Sequence, residues 1–69
     1  MRFSIERLYE IAEEEYTSAN FIPGGTNFCT WKEGVGNWAY YSAKQEYDSE
    51  EEVRDEIRGY IVEEKENID

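Results

Sequence analysis

Apolar residues in this chain fall into two helical stripes separated by an aromatic middle. Ile5, Leu8, Tyr9, Ala12 and Tyr16 recur at the i, i+3, i+4 spacing that puts them on one helical face. Glu6, Glu10, Glu13 and Glu14 fall on the opposite face. Ser4 stands where an N-cap belongs, and Phe3 and Leu8 occupy the two positions of a hydrophobic staple. The spacing predicts a first helix over about residues 4–16. Val53, Ile57, Tyr60 and Ile61, with Ile68 at the far end, form the second stripe. Ser49 followed three residues later by Glu52 is a capping box, and acids in the first turn suit the helix dipole. This predicts a helix over about residues 49–65. Glu50 is placed for an i, i+4 pair with Arg54. Arg54, Arg58 and Lys65 form a basic flank, and Gly59 interrupts the helix.

Between the stripes the pattern changes. Thr17–Gly25 reads as a loop with a Pro23-Gly24 turn, and Asn20-Phe21-Ile22 as a short edge strand within it. Residues 27–32 and 37–45 are rich in aromatics and are separated by Glu33-Gly34-Val35-Gly36. Two glycines in that gap predict a β-hairpin. Cys29, Trp31, Ala39, Tyr41 and Ala43 share one face of it, and Phe28, Thr30, Trp38, Tyr40 and Ser42 the other. Both faces carry large aromatics, so the pattern leaves open which is buried. The expected fold is a single α+β domain over residues 1–69. Its order is α-β-β-α, with the antiparallel hairpin packed against two acidic amphipathic helices. An isolated hairpin is marginal in water, so it needs both helices.

Charge sharpens the picture. The 69 residues carry 17 acids, seven bases and no histidine, a net charge of -10. Residues 1–16 contribute -3 and residues 46–69 contribute -8, whereas residues 17–45 sum to +1. Such a field repels nucleic acid and anionic membrane and attracts basic protein surface. Neither a signal-peptide run nor a membrane-length apolar stretch is visible, and the single cysteine fits a reducing setting. A cytoplasmic protein is expected.

The same composition argues against most chemistry. Lacking histidine, the chain lacks the commonest general base and metal ligand. One cysteine cannot build a zinc site or an iron–sulfur cluster, and Cys29 reads as a small core residue. Phosphate-binding glycine loops are absent. Asp48-Ser49-Glu50-Glu51-Glu52 lacks the order of a calcium-binding loop. The expectation is a binding protein without cofactor or metal, and not an enzyme.

The acidic faces carry the functional expectation. Solvated helix surfaces account for acids in general, because Glu favours helix and solubility. Here the excess is large, neutralising bases are few, and an antiparallel helix pair would bring the acids to one side. Carboxylates at helical spacing stand about 5–6 Å apart, comparable with phosphates spaced about 3.4 Å along one DNA strand. Two such rows mimic nucleic acid and fit a groove lined with Lys and Arg. Glu10, Glu13 and Glu14 on the first helix, and Asp48, Glu50, Glu51, Glu52, Asp55 and Glu56 on the second, are the candidate contacts. Trp38 and Tyr40 are candidate aromatic anchors. The expected partner is a basic nucleic-acid-binding protein or complex, with no direct contact to nucleic acid or membrane. The alternative is a protein-interaction or homodimerisation module using an exposed aromatic hairpin.

The stretch Glu46-Tyr47-Asp48-Ser49-Glu50-Glu51-Glu52-Val53-Arg54-Asp55-Glu56-Ile57 resembles the acidic entry to the last helix of small phage-borne anti-CRISPR proteins that block a type II effector nuclease. The first helix and the aromatic middle have no counterpart in the resemblance. It implies a DNA mimic that occupies the site reading the protospacer-adjacent motif of a host defence complex. Asp48, Glu50, Glu51, Glu52, Asp55 and Glu56 would then be the matching contacts. The CRISPR type is left open.

Overall fold

The computed structural model describes residues 1–19 and 28–68, with side-chain surroundings for 1–19 and 32–63. Helix α1 spans Ile5–Ser18, α2 spans Phe28–Asn37 and α3 spans Glu50–Ile68. A π-helical turn, Trp38–Ser42, continues α2. The predicted edge strand at Asn20-Phe21-Ile22 and the Pro23-Gly24 turn lie outside the described residues.

Local signals account for both acidic helices. The Ser4 hydroxyl accepts from the Arg7 backbone N–H at 3.1 Å and caps α1. Leu8, Ile11, Ala12, Glu15 and Tyr16 form its buried stripe. Ser49 accepts from the Glu52 N–H at 3.3 Å. The Glu52 carboxylate reaches back to the Asp48 N–H at 2.7 Å, one residue beyond the usual capping-box partner. Val53, Ile57 and Ile61 are buried along α3.

The middle of the chain overturns the α+β expectation. Among the described residues there is no sheet, and the fold is helical. The segment read as a hairpin over 27–32 and 37–45 is instead α2 with its π-helical turn. Tertiary packing decides this. In a helix, Val35, Trp38 and Ala39 stand at i, i+3, i+4 and all three are buried. A strand would send Trp38 and Ala39 to opposite faces. The β-preference of aromatic residues largely reflects packing context, so it yields here. Gly34 and Gly36, read as hairpin punctuation, lie inside α2. The Ala43 N–H donates to the Trp38 carbonyl at 2.8 Å, the i to i+5 bond that defines the wide turn. Trp38 and Ala39 face inward from that turn, while Tyr40 and Tyr41 are 60% and 84% exposed. The Cys29 side chain lies outside those described.

Contacts along the helices set their directions. Lys32 lies beside Glu13, and Tyr40 beside Tyr9, so α2 runs antiparallel to α1. Arg7 pairs with Glu50, Glu14 with Arg54, and Glu15 with Arg58. Both series advance together, so α1 and α3 run parallel, not antiparallel as the grouping of acids suggested. A short extended clasp holds their N-terminal ends. The Phe3 N–H donates to the Gln45 carbonyl, and the Tyr47 N–H to the Met1 carbonyl, each at 2.9 Å. Gln45 adopts a φ of 73°, an uncommon left-handed conformation for a non-glycine residue. Its side-chain amide donates to the Phe3 carbonyl at 3.2 Å, which helps to hold that conformation. Phe3 meets the Tyr47 ring edge to face with centroids 6.0 Å apart. These two residues close one end of a core built from α1, α2, the π-helical turn and α3.

This packing predicts which substitutions unfold the domain. Leu8→Ala and Ile57→Ala should each cost about 2–5 kcal/mol, and Trp38→Ala about 3–5 kcal/mol. Tyr41→Ser should leave stability within about 0.5 kcal/mol, because the ring is exposed. Thermal melts followed by far-UV circular dichroism check all four. A neutral Trp38→Ala would refute the helical assignment of the middle segment.

Candidate binding surface

Three arginines organise the acids of α1 and α3. Arg54 donates to Glu14 at 2.9 Å, Glu15 at 2.8 Å and Glu50 at 2.6 Å. Arg58 donates to Glu15 at 2.7 Å, Asp55 at 3.0 Å and Glu51 at 3.2 Å. Arg7 pairs with Glu50 at 3.2 Å and with Glu10 at 3.3 Å. Six carboxylates thus surround three guanidinium groups, leaving a net charge of -3 on this flank. Glu15 and Glu50 each meet two arginines, whereas Glu10, Glu14, Glu51 and Asp55 each share one. An open concavity of about 620 Å³ adjoins it, lined in part by Glu10, Glu13, Glu14 and Arg54.

Glu15 is the keystone that the sequence reading missed. It is a buried charged residue on the inner stripe of α1. Burial pushes its carboxyl upward in pKa, but hydrogen bonds from Arg58 and Arg54 outweigh burial and hold it below the usual value. Glu50 is also lowered, by Arg54 first and Arg7 second. A visible clue existed. Glu15 stands four residues after Ile11, inside the apolar stripe, and a carboxylate there requires a cationic partner. Arg54 and Arg58, spaced i, i+4 on the other helix, supply it.

The remaining candidate residues scatter. Glu10, Glu14, Glu50, Glu51 and Asp55 join the arginine network. Glu13 pairs with Lys32 at 3.4 Å beside it. Asp48 is exposed at the start of α3, and Glu52 there pairs with Lys44 at 3.3 Å. The Asp48 N–H and Lys44 together hold the Glu52 carboxyl below its usual pKa. Glu56 lies on the other flank of α3 and accepts a short hydrogen bond from the Tyr47 hydroxyl. Burial first, and that carboxylate second, hold the Tyr47 phenol well above its usual pKa. Trp38 is 1% exposed and is a core residue, not a surface anchor on a hairpin. Tyr40 is at the surface, its ring 6.0 Å from that of Tyr9. Among the described residues no group of three or more His, Cys, Asp or Glu is placed to hold a metal ion. No described helix is long and apolar enough to cross a membrane.

The network makes stability depend on acid. Glu15 and Glu50 have lowered folded-state pKa values, so their contribution is full above the unfolded carboxylate value. It is lost as pH falls through the folded values. The melting temperature should therefore drop between about pH 5 and about pH 2, and Glu15→Gln should flatten that drop. At neutral pH, Arg54→Ala should destabilise by about 1.5–3 kcal/mol, because it strips charged hydrogen bonds from Glu15. Melts of the three proteins across pH test both statements. A pH slope unchanged in Glu15→Gln would show that other carboxylates dominate.

No protein-family model, curated protein or solved structure matches this chain.

Proposed function

We propose that this chain is an acidic binding protein that masks a basic, nucleic-acid-binding surface of another protein. The observation that supports this reading is the arginine network. It holds carboxylates from two parallel helices in fixed positions while leaving their sum negative. Such a face is ordered before binding, so little side-chain entropy remains to be lost. A lysine- or arginine-lined groove can exchange its phosphate contacts for these carboxylates. Glu10, Glu14, Glu51 and Asp55 are the outer members of the network and form the proposed contacts. Asp48 extends the row at the start of α3. Tyr40 and Tyr41 lie on the π-helical turn, away from the network. A host defence complex as the target rests on the sequence resemblance around residues 46–57 alone.

Neutralising the outer row tests the proposal. Glu10→Gln, Glu14→Gln, Glu51→Gln and Asp55→Asn together leave Glu15 and Glu50 to hold the arginines. The folded structure should therefore persist by circular dichroism. The immobilised parent chain should retain nucleic-acid-binding proteins from nuclease-treated cell lysate. It should release them when salt is raised or when duplex DNA or RNA is added. The fourfold variant should retain little. In a gel shift, the chain itself should not bind free DNA or RNA, because it offers no basic stripe. Equal retention by the variant would refute the masking reading.

A further inference from the structure

A second recessed site lies on the other flank of α3. At about 100° per residue, Glu56, Tyr60 and Glu63 point away from Arg54 and Arg58, with Gly59 at the edge between the two flanks. With Trp38 and Ser42 of the π-helical turn they line a cleft of about 350 Å³. Three features of this cleft are unexplained by the fold. Gly59 weakens the middle of a helix, yet nothing stands within 4 Å of where its Cβ would be. Packing therefore does not require glycine there, while a side chain would intrude on the cleft. The indole N–H of Trp38 is buried but has no hydrogen-bond partner among the described residues. Buried donors are normally paired, and Trp N–H groups usually find an acceptor. Finally, Glu56 and Glu63 have no ion-pair partner among the described residues, in contrast to the acids around the arginines.

We infer that this cleft binds an arginine side chain presented on a peptide of a partner protein. A guanidinium group matches Glu63 and Glu56, which have no cationic partner among the described residues although Glu56 accepts from the Tyr47 hydroxyl, and it matches the face of Tyr60, because it is planar, forks across acids and stacks on rings. The peptide's main chain carries a carbonyl acceptor of the kind that the Trp38 N–H lacks among the described residues. Gly59 lets that main chain approach α3 closely. A free polyamine would satisfy the carboxylates but bring no acceptor for the indole. The site is separate from the arginine network, so it can stand or fall independently of the masking role.

The test is a titration of the isotope-labelled chain with a capped Gly-Arg-Gly peptide, read at the Trp38 indole N–H resonance. Trp31→Phe assigns that resonance. The peptide should move it saturably, and the same peptide with citrulline for arginine should not. Gly59→Leu should fill the cleft, raise the melting temperature, and weaken peptide binding by about tenfold or more. Glu63→Gln, an exposed change with no packing role, should also weaken it. Glu6→Gln, an exposed change on α1 outside the lining of the cleft, should leave it unchanged. The citrulline peptide binding equally would overturn the inference, as would unchanged binding in Glu63→Gln. Spermidine binding as tightly as the arginine peptide would overturn the peptide assignment. If Gly59→Leu fails to fold, the open space that the inference uses is absent, and that too counts against it.

Discussion

Everything in this fold depends on bringing two Glu-rich helices side by side. Their acids repel, and because α1 and α3 run parallel, their dipoles also align unfavourably. Arg7, Arg54 and Arg58 resolve both problems at the interface. Each of the three joins acids from both helices, Arg54 with Glu14 and Glu15 on α1 and Glu50 on α3. Acids in the first turn of each helix, Glu6 on α1 and Glu50–Glu52 on α3, complement the two N-termini gathered at one end. Glu15 shows how tightly charge and packing are tied. It lies in the apolar stripe and is tolerated there because two guanidinium groups reach it.

The third layer follows from that pairing. With α1 and α3 parallel, the connecting chain must travel back, and α2 with its π-helical turn makes that return. Val35, Trp38 and Ala39 fill the space between the acidic helices. The π-helical turn matters because it buries Trp38 while leaving Tyr40 and Tyr41 outside. The clasp between residues 1–3 and 45–47 then closes the end where both acidic helices begin. Tyr47 ties this clasp to α3 through its hydrogen bond to Glu56.

The two flanks of α3 consequently differ in character. One carries acids paired with arginines and a net negative charge. The other carries Glu56 and Glu63 beside aromatic rings and an open glycine, with space left between them. Both are suited to basic groups, but in different ways. The first offers an extended row that suits a charged groove, and the second a recess that suits one side chain. A basic partner large enough to meet both flanks would have to wrap α3.

How much was legible in the sequence depended on whether the signal was local. Ser4, Ser49 and the stripes at Leu8–Tyr16 and Val53–Ile61 read correctly, because caps and amphipathic periodicity act within a few residues. The i, i+4 pair of Glu50 with Arg54 was legible for the same reason. The hairpin at residues 27–45 was misread, because aromatic residues and glycines fit either a strand pair or a helix when considered alone. Only the gap between α1 and α3 chose the helix, by burying Val35, Trp38 and Ala39 together. The parallel course of the acidic helices was likewise decided by tertiary pairing. So was the conversion of acid rows into an arginine-centred network. Composition and charge determined the large negative excess of this chain. Which carboxylates meet an arginine and which, like Glu56 and Glu63, have no ion-pair partner among the described residues was decided only when the helices packed, because an ion pair 40 residues apart leaves no periodic trace.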